Sequence, residues 1–576
     1  MIRSTPKTCS DVGATIALLI AVWIIAQGCE RSKPPPSSLS QPSATDGAPW
    51  FEEVAQQNGL VFEWHSGFRD RHYMPEITGG GAALFDMDGD GDLDAYLVQA
   101  GSLVEPNESQ PRNQLFRNIG DGVFENVTSG SGADDHGYGM GVACGDYDND
   151  GDVDLYVTNV GPNVLLRNEG DGRFTDVTGQ AGVGHPGWGS SAAFVDYDHD
   201  GDLDLYVCNY LNWSVATEID CFNEMGSPDY CGPKNYNAPA MDVLYRNDGE
   251  GTFTDVSELA GLNQALGTGL GVVCGDFNND GWIDIFVAND LMPDHLWLNQ
   301  GNGTFRDEAL FAGCAIDQEG KAKAGMGVTA ADIDDDGDLD LMVCNLNNES
   351  DSLFRNEGGY FTDSTAMMGL GAVSRPFTRF GMAWTDFDND GYLDLYQANG
   401  RVMRQSRLFS DNPFAEPNLL FRGHPTGRFQ EVRPRGGTRE LLAAASRAAA
   451  FGDIDQDGAI DVLVVNRDGK AHLLHNIVAN RGNWISFRVT EEHGRDALGA
   501  TVRLTLGNRR ITRDVRAAYS YMASNDPKVH LGLGKHDVVT DVSVRWIDGG
   551  IESFGDFGAN QVVTLQRGDG QMRRTR

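Results

Sequence analysis

Between residues 81 and 476 the chain alternates short apolar runs with acidic or glycine-rich breaks. Gly-Ala-Ala-Leu-Phe at 81–85 and Leu-Asp-Leu-Tyr-Val at 203–207 are representative. Runs of four or five residues bounded by turn formers are strands rather than helices, so each acidic break is the turn of a β-hairpin. A second element, Leu-Phe-Arg-Asn-x-Gly-x-Gly-x-Phe-x-x-Val at 115–127, returns at 165–177, 244–256 and 296–308, with looser versions from Leu353 and Leu420. Its Asn-x-Gly-x-Gly segment is a turn between two further strands. Each repeat thus supplies four strands. The acidic breaks begin 60, 50, 80, 56, 54 and 67 residues apart, and four strands in a repeat of that length make a propeller blade. A calcium-binding β-helix repeats about every nine residues and does not fit. The predicted fold is all-β, a seven-bladed β-propeller over residues 50–476. Residues 51–54 look like the strand that follows a glycine turn, yet they precede the first acidic break, and no such strand follows 473–476. The N-terminal strand is therefore expected to complete the last blade and leave no open edge.

The acidic breaks share nine positions. The first reads Asp-Met-Asp-Gly-Asp-Gly-Asp-Leu-Asp from Asp86, and the others start at Asp146, Asp196, Asp276, Asp332, Asp386 and Asp453, each with Gly at position 6. Oxygen side chains at alternate positions of a tight turn converge on one point, which suits Ca2+ with its six to eight ligands at about 2.3–2.6 Å. The expected ligands are Asp86, Asp88, Asp90 and Asp94; Asp146, Asp148, Asp150 and Asp154; Asp196, Asp198, Asp200 and Asp204; Asp276, Asn278, Asp280 and Asp284; Asp332, Asp334, Asp336 and Asp340; Asp386, Asp388, Asp390 and Asp394; and Asp453, Asp455, Asp457 and Asp461. Position 8 is always apolar and should face the core. Position 7 ranges from Asp92 to Trp282, Tyr392 and Ala459, as expected if it offers only its carbonyl. Asn278 gives the fourth break one charge fewer, making it the expected weakest site. An EF-hand would need Glu at position 12, where the first break has Leu97. The bland alternative is that these turns merely solubilise hairpins; the fixed register in seven copies argues against it.

Charge then enters the picture. The formal net charge is −40, and 32 of the 84 acidic residues lie in the seven breaks. About seven Ca2+ would leave about −26, still unfavourable for nucleic acid or an anionic membrane face. At the N-terminus Arg3 and Lys7 precede an apolar run (14–26) and Gln27-Gly28-Cys29, a signal peptide over 1–28 too short to span a membrane comfortably. Cleavage before Cys29 would make a lipoprotein carrying its lipid on that residue, and cleavage by ordinary signal peptidase would release a secreted protein. Both place the chain outside the cytoplasm, at the cell envelope or beyond. Residues 29–49 are rich in Ser and Pro and read as a disordered tether. Cys221 and Cys231 bracket an insertion between the third and fourth breaks, where a disulfide would staple it. Residues 483–568 lack both repeated elements and alternate apolar with polar residues, as in Ile485-Ser-Phe-Arg-Val489, predicting a small separate β-sandwich or barrel before a basic tail at 569–576.

The Asp-x-Asp-x-Asp-Gly-x-x-Asp hairpins with adjoining Gly-x-Phe strands resemble FG-GAP or VCBS repeats, as in the headpiece propeller of integrin α subunits. The final segment, with Leu498-Gly-Ala500, Arg513-Asp-Val515, Leu531-Gly-Leu-Gly534 and Val544-Arg-Trp546, is similar to the ASPIC/UnbV domain. Together they resemble the cartilage acidic protein family and its bacterial relatives. The resemblance implies Ca2+ in the hairpins and an extracytoplasmic interaction role; an extracellular protein or glycan is the expected partner, because aromatics and arginines fall near one mouth of the channel. The first strand of each blade starts about eight residues before its acidic break, which puts Tyr138, Trp188, Arg379 and Arg447 near the opposite mouth of the channel, where they are the expected partner-binding residues. The competing expectation for Tyr138 and Trp188 is packing between blades. The alternative function is a propeller enzyme acting on polysaccharide or a small molecule. His65, Arg69, His72 and His136 are its candidates, and their spacing builds no catalytic dyad.

Overall fold

The computed structural model describes residues 47–104, 110–223, 225–404 and 409–572. The signal peptide, Cys29 and nearly all of the tether lie outside the described residues, as do 573–576. Among the described residues, seven successive sheets each carry a four-stranded antiparallel meander. The second is typical: Gly139–Gly145, Asp154–Asn159, Val164–Asn168 and Phe174–Asp176. The first strands pack side by side in chain order, and the seventh, Ser446–Gly452, meets the first, Ala82–Phe85. The ring is closed. Its clasp is the N-terminal strand Phe51–Glu53, which pairs antiparallel with His472–Asn476 as the outer strand of the seventh sheet. No edge is left where the ring closes, which is how a propeller avoids strand-to-strand aggregation.

Each sheet is hydrophobic on both faces because it is sandwiched between two others. Val142 and Leu155 of the second sheet pack on Ala83 and Tyr96 of the first, while its Ala143 and Tyr156 pack on Ala192 and Leu205 of the third. This explains why the first and second strands read as continuous apolar runs rather than as alternating ones.

Residues 483–572 form a β-sandwich of a three-stranded and a five-stranded sheet, closed over a core that includes Ile485, Phe487, Val502, Val544 and Trp546. It is not a separate body. Between Arg509–Asp514 and Val529–Gly534 the chain leaves the sandwich and runs into the ring's axis. Ala523–Ser524 pairs parallel with Ala82 and Ala83 of the first sheet. Met522 N–H donates to Ser191 Oγ, Cys144 N–H to Ser524 Oγ, and Ser520 exchanges backbone hydrogen bonds with Val328. Ser520 Oγ also bridges Met382 N–H and the Ala449 carbonyl. Tyr521 and Met522 sit among Ala82, Met140, Trp188, Leu270, Met326, Phe380 and Ala448, one residue from each repeat. The channel is thus filled by the C-terminal domain.

Candidate metal-binding hairpins and the domain docked on them

One hydrogen-bond scheme builds all seven hairpins. Position 1 accepts the N–H of the position-6 glycine, as in Gly151 to Asp146 (2.9 Å), and position 5 accepts the N–H of position 7, as in Asp152 to Asp150 (3.0 Å). Position 9 is buried and holds the turn to its sheet. One oxygen of Asp154 accepts Tyr147 N–H (3.1 Å) and the other Asn168 N–H from the third strand (2.8 Å). Position 4 takes a positive φ throughout, from 55° at Asn389 to 73° at Gly89, which explains why Gly, Asn, Asp, His and Gln occupy it and no β-branched residue does. Position 4 also reaches the next hairpin: Asn149 to Asp202 (2.6 Å), Asn279 to Asp338 (2.6 Å) and Gln456 to Asp92 (2.7 Å).

What the scheme leaves over is informative. Asp88 Oδ1, Asp148 Oδ1, Asp198 Oδ1 and Asp455 Oδ1, all at position 3, are buried without a donor, as is Asp196 Oδ1 at position 1. A buried carboxylate oxygen without a partner costs about 1–3 kcal/mol or more, and these converge where positions 1, 3, 5 and 9 meet. In the first, second, third and fifth hairpins three carboxylates bring ligand atoms within 4.8 Å of one another, and in the seventh Asp455 and Asp461 do so with His475. The donor set is carboxylate oxygen, hard and anionic, and fits a cation of the Ca2+ type.

Electrostatics agree. Burial, reinforced by neighbouring loop carboxylates, pushes Asp204 up to about 9, Asp94, Asp340 and Asp453 to about 8, and Asp196 to about 7. A carboxyl whose folded value lies above its unfolded one, about 3.9, is more protonated when folded, so its contribution is favourable at low pH and is lost as pH rises through the folded value. Protein stripped with a chelator is therefore expected to melt at a lower temperature at pH 8 than at pH 6. Excess Ca2+ should remove or invert that trend. Melting curves at both pH values check this, and a chelated protein more stable at pH 8 would contradict it.

The asparagine of the Leu-Phe-Arg-Asn element does more than turn the chain, a role that the sequence pattern does not reveal. Asn247 Nδ2 donates to the Leu203 carbonyl of its own hairpin (3.1 Å) and to the Tyr147 carbonyl of the preceding one (2.8 Å). Asn118, Asn168, Asn299, Asn356 and Asn476 do the same, stapling each sheet to its predecessor. The sixth sheet has Gly423 instead, where a Cβ would lie 2.1 Å from the Leu393 carbonyl. Asn247→Leu is expected to cost about 2 kcal/mol by stranding two buried carbonyls, against little for the exposed Asn126→Leu, as read by urea denaturation.

The hairpin face is covered by the C-terminal sandwich, which presents arginines to it. Arg495 donates to Asn149 Oδ1 (2.8 Å) and the Gly201 carbonyl (2.9 Å), Arg509 to Asp335 (2.7 Å) and the Gly391 carbonyl (2.7 Å), Arg513 to the Asp332 carbonyl (3.0 Å) and Arg545 to Asp276 (3.1 Å). Between the two bodies lies a cavity of about 260 Å³, lined among others by Asp86, Asp146, Asp453, Arg488 and Asp496.

The four side chains expected to meet a partner at the opposite mouth are buried and spent internally. Tyr138 donates to the Ser66 carbonyl (2.9 Å), and Trp188 packs on Tyr210 and Trp213. Arg379 pairs with Asp351 (2.7 Å), and Arg447 donates to the carbonyls of Ile77, Gly400, Ser446 and Arg401. These positions lie below the mouth, because loops rise over them. The largest is the 211–238 insertion, in which Cys221 and Cys231 form a disulfide with Cα atoms 5.3 Å apart. It is tied down by Arg71 to Asp220 (2.9 Å), Tyr230 to Glu76 (2.9 Å) and Arg467 to Tyr230 (2.6 Å). Burial pushes Glu76 up to about 8. His72 lies in this packing, its ring 4.6 Å from that of Tyr230.

A closed ring of four-stranded sheets with acidic hairpin turns on one face, its axis filled from a C-terminal sandwich, defines a class of repeat protein, and sequence comparison identifies it. The FG-GAP-like repeat family model matches residues 86–157, 146–207, 223–287, 276–343 and 332–396, the ASPIC and UnbV model matches 490–572, and the chain belongs to this family. It is similar to cartilage acidic protein 1 of Mus musculus and of Homo sapiens, at 27% identity over 352 residues in each case. That alignment covers 58% of this chain and 52% and 51% of the relatives; the chain thus spans about half the length of the curated relatives it matches. Among solved structures, a lectin from Agrocybe aegerita aligns at 13% identity with TM-score 0.38 over 67% of this chain and 88% of its own. Rhamnogalacturonan lyase YesW aligns at 13% with TM-score 0.37 over 69% and 71%. Among the described residues no helix is long and apolar enough to cross a membrane.

Proposed function

We propose that this protein is a calcium-stabilised, non-enzymatic binding module working outside the cytoplasm. The observation that carries the calcium part is the set of buried carboxylate oxygens without a donor, four at position 3 and one at position 1, in turns whose positions 1, 5 and 9 otherwise accept backbone N–H groups. FG-GAP repeats typically bind calcium, which supports the same reading. The ion would be held by positions 1, 3, 5 and 9, and when bound it neutralises the carboxylates that burial otherwise penalises. Its role is structural. The expected signal peptide over residues 1–28, with Cys29 either the lipid attachment point or the first residue of a secreted protein, supports a site of action at the envelope or beyond.

The partner surface we assign to the face bearing the disulfide-stapled insertion, since the hairpin face carries the sandwich and the axis is filled. Phe222 and Met225 on that insertion are 63% and 88% exposed, and apolar side chains on a braced loop suit a protein or glycan. Calorimetric titration of Ca2+ into chelated protein tests the calcium reading: saturable uptake is expected, weakened by Asp148→Asn, and no uptake would sink it. Loss of binding to a surface glycan panel in Phe222→Ser/Met225→Ser protein would support the partner face, whereas unchanged binding would remove it.

A further inference from the structure

We propose that the fourth hairpin takes no cation and is instead the point at which the C-terminal sandwich is locked to the ring, Arg545 supplying there the positive charge that Ca2+ supplies elsewhere. The proposal rests on the calcium reading of the other hairpins.

Four observations set this hairpin apart. Position 3 is an amide, and Asn278 turns its donor inward, Nδ2 to Asp280 Oδ2 at 2.9 Å, while its Oδ1 accepts Asp280 N–H at 3.0 Å. An amide NH2 is repelled by a cation; here it holds one of the ligands a cation would need. Second, every oxygen of the nominal ligands already has a donor, a saturation that the sixth hairpin shares through Arg422 but that is reached here with one carboxylate fewer and with the position-3 amide as one of the donors. Asp276 takes Asp280 N–H and Gly281 N–H (3.0 Å each) plus Arg545 Nη2 (3.1 Å), Asp280 takes Trp282 N–H (2.9 Å), and Asp284 takes Phe277 N–H (3.0 Å) and Asn299 N–H (2.8 Å). The first, second, third and seventh hairpins each keep a buried position-3 oxygen without one.

Third, the source of the charge differs. In the first, fifth and sixth hairpins an arginine of the ring's own third strand, Arg117, Arg355 or Arg422, lies against the position-3 carboxylate. The fourth sheet has Leu298 at that place, so the ring offers no cation of its own and the guanidinium arrives from the other domain. It lands on position 1, an enclosed ligand, with the Asp276 side chain 7% exposed. Fourth, position 7 is occupied by Trp282, whose ring is taken up in stacking on His199 of the third hairpin at 4.1 Å. The missing charge at position 3, the missing arginine and the arriving Arg545 compensate one another, and the outcome is an ion pair between domains.

Native mass spectrometry of the full chain under a Ca2+ titration tests this, with Arg545→Gln, Asn278→Asp and the double variant. Wild type is expected to saturate at six ions, one for each hairpin but the fourth, and the double variant at seven. Arg545→Gln alone should lower the melting temperature even in excess chelator, because the lock needs no metal. A wild type that saturates at seven, a double variant with the wild-type count, or an Arg545→Gln protein that melts like wild type in chelator would each overturn the proposal while leaving the calcium reading intact. Absence of uptake by every form would instead remove the calcium reading and this proposal with it.

Discussion

Replacing Tyr521 with alanine is expected to destabilise the whole ring by about 3–5 kcal/mol, the range for deleting a large aromatic from a core. The residue belongs to the C-terminal domain, but its side chain is fully buried at the axis of the propeller. Its ring meets Phe380 edge-on at 4.9 Å and its hydroxyl donates to the Thr78 carbonyl at 2.8 Å. Truncation would leave a void lined by several first strands at once, none of which can move inward without parting from its neighbours, so collapse into the space is blocked. The cost should appear as a lower urea midpoint of a single transition for both domains. Tyr360→Ala, at a residue 71% exposed, should change the midpoint by less than about 0.5 kcal/mol. If Tyr521→Ala melted only the sandwich and left the ring's transition in place, the axis would not be the shared core that the packing indicates.

That plug marks the boundary of what the sequence makes legible. The hairpins are written locally, carboxylates at alternate positions with glycine at position 6, and seven repetitions convert a local signal into a ring. The clasp was readable for the same reason, because Phe51–Glu53 carries a strand pattern without its partner. Residues 517–525, Ala-Ala-Tyr-Ser-Tyr-Met-Ala-Ser-Asn, carry no charge between Arg516 and Asp526, an oddity for a surface loop of a sandwich. Nothing in them names the cavity they fill, since their partners lie as far as 443 residues away. The partner-binding expectation failed on a related point. Counting residues from the hairpins located Arg379 and Arg447 along the axis, but it could not show the loops stacked above them or the carbonyls that consume their donors. The asparagine staples were hidden in plain view: an Asn-x-Gly segment has a sufficient local explanation as a turn, and the second role appears only when the preceding hairpin's carbonyl is brought to 2.8 Å.

Chelation should be the largest perturbation of all. A site with the affinity of extracellular calcium modules, about 10⁻⁴–10⁻³ M, contributes about 0.6–1.8 kcal/mol at ~2 mM Ca2+. Summed over several hairpins this is roughly 4–10 kcal/mol, comparable with the entire stability of an ordinary domain, about 5–15 kcal/mol. The melting temperature is therefore expected to fall on the order of 10 °C in excess chelator and to return on adding Ca2+. The effect should be cooperative around the ring, because position 4 of one hairpin bonds the next and the arginines of the sandwich rest on several hairpins at once. Loosening the turns would thus also loosen the plug. Mg2+ separates two explanations: it screens charge as well as Ca2+ does but requires near-octahedral geometry and sheds water reluctantly. Recovery with Ca2+ and little with Mg2+ would show that the turns act as fitted cradles. Equal recovery would mean that any divalent charge suffices to quiet the clustered carboxylates, and no drop on chelation would mean that the hairpins hold their shape through the N–H donors of their own backbone.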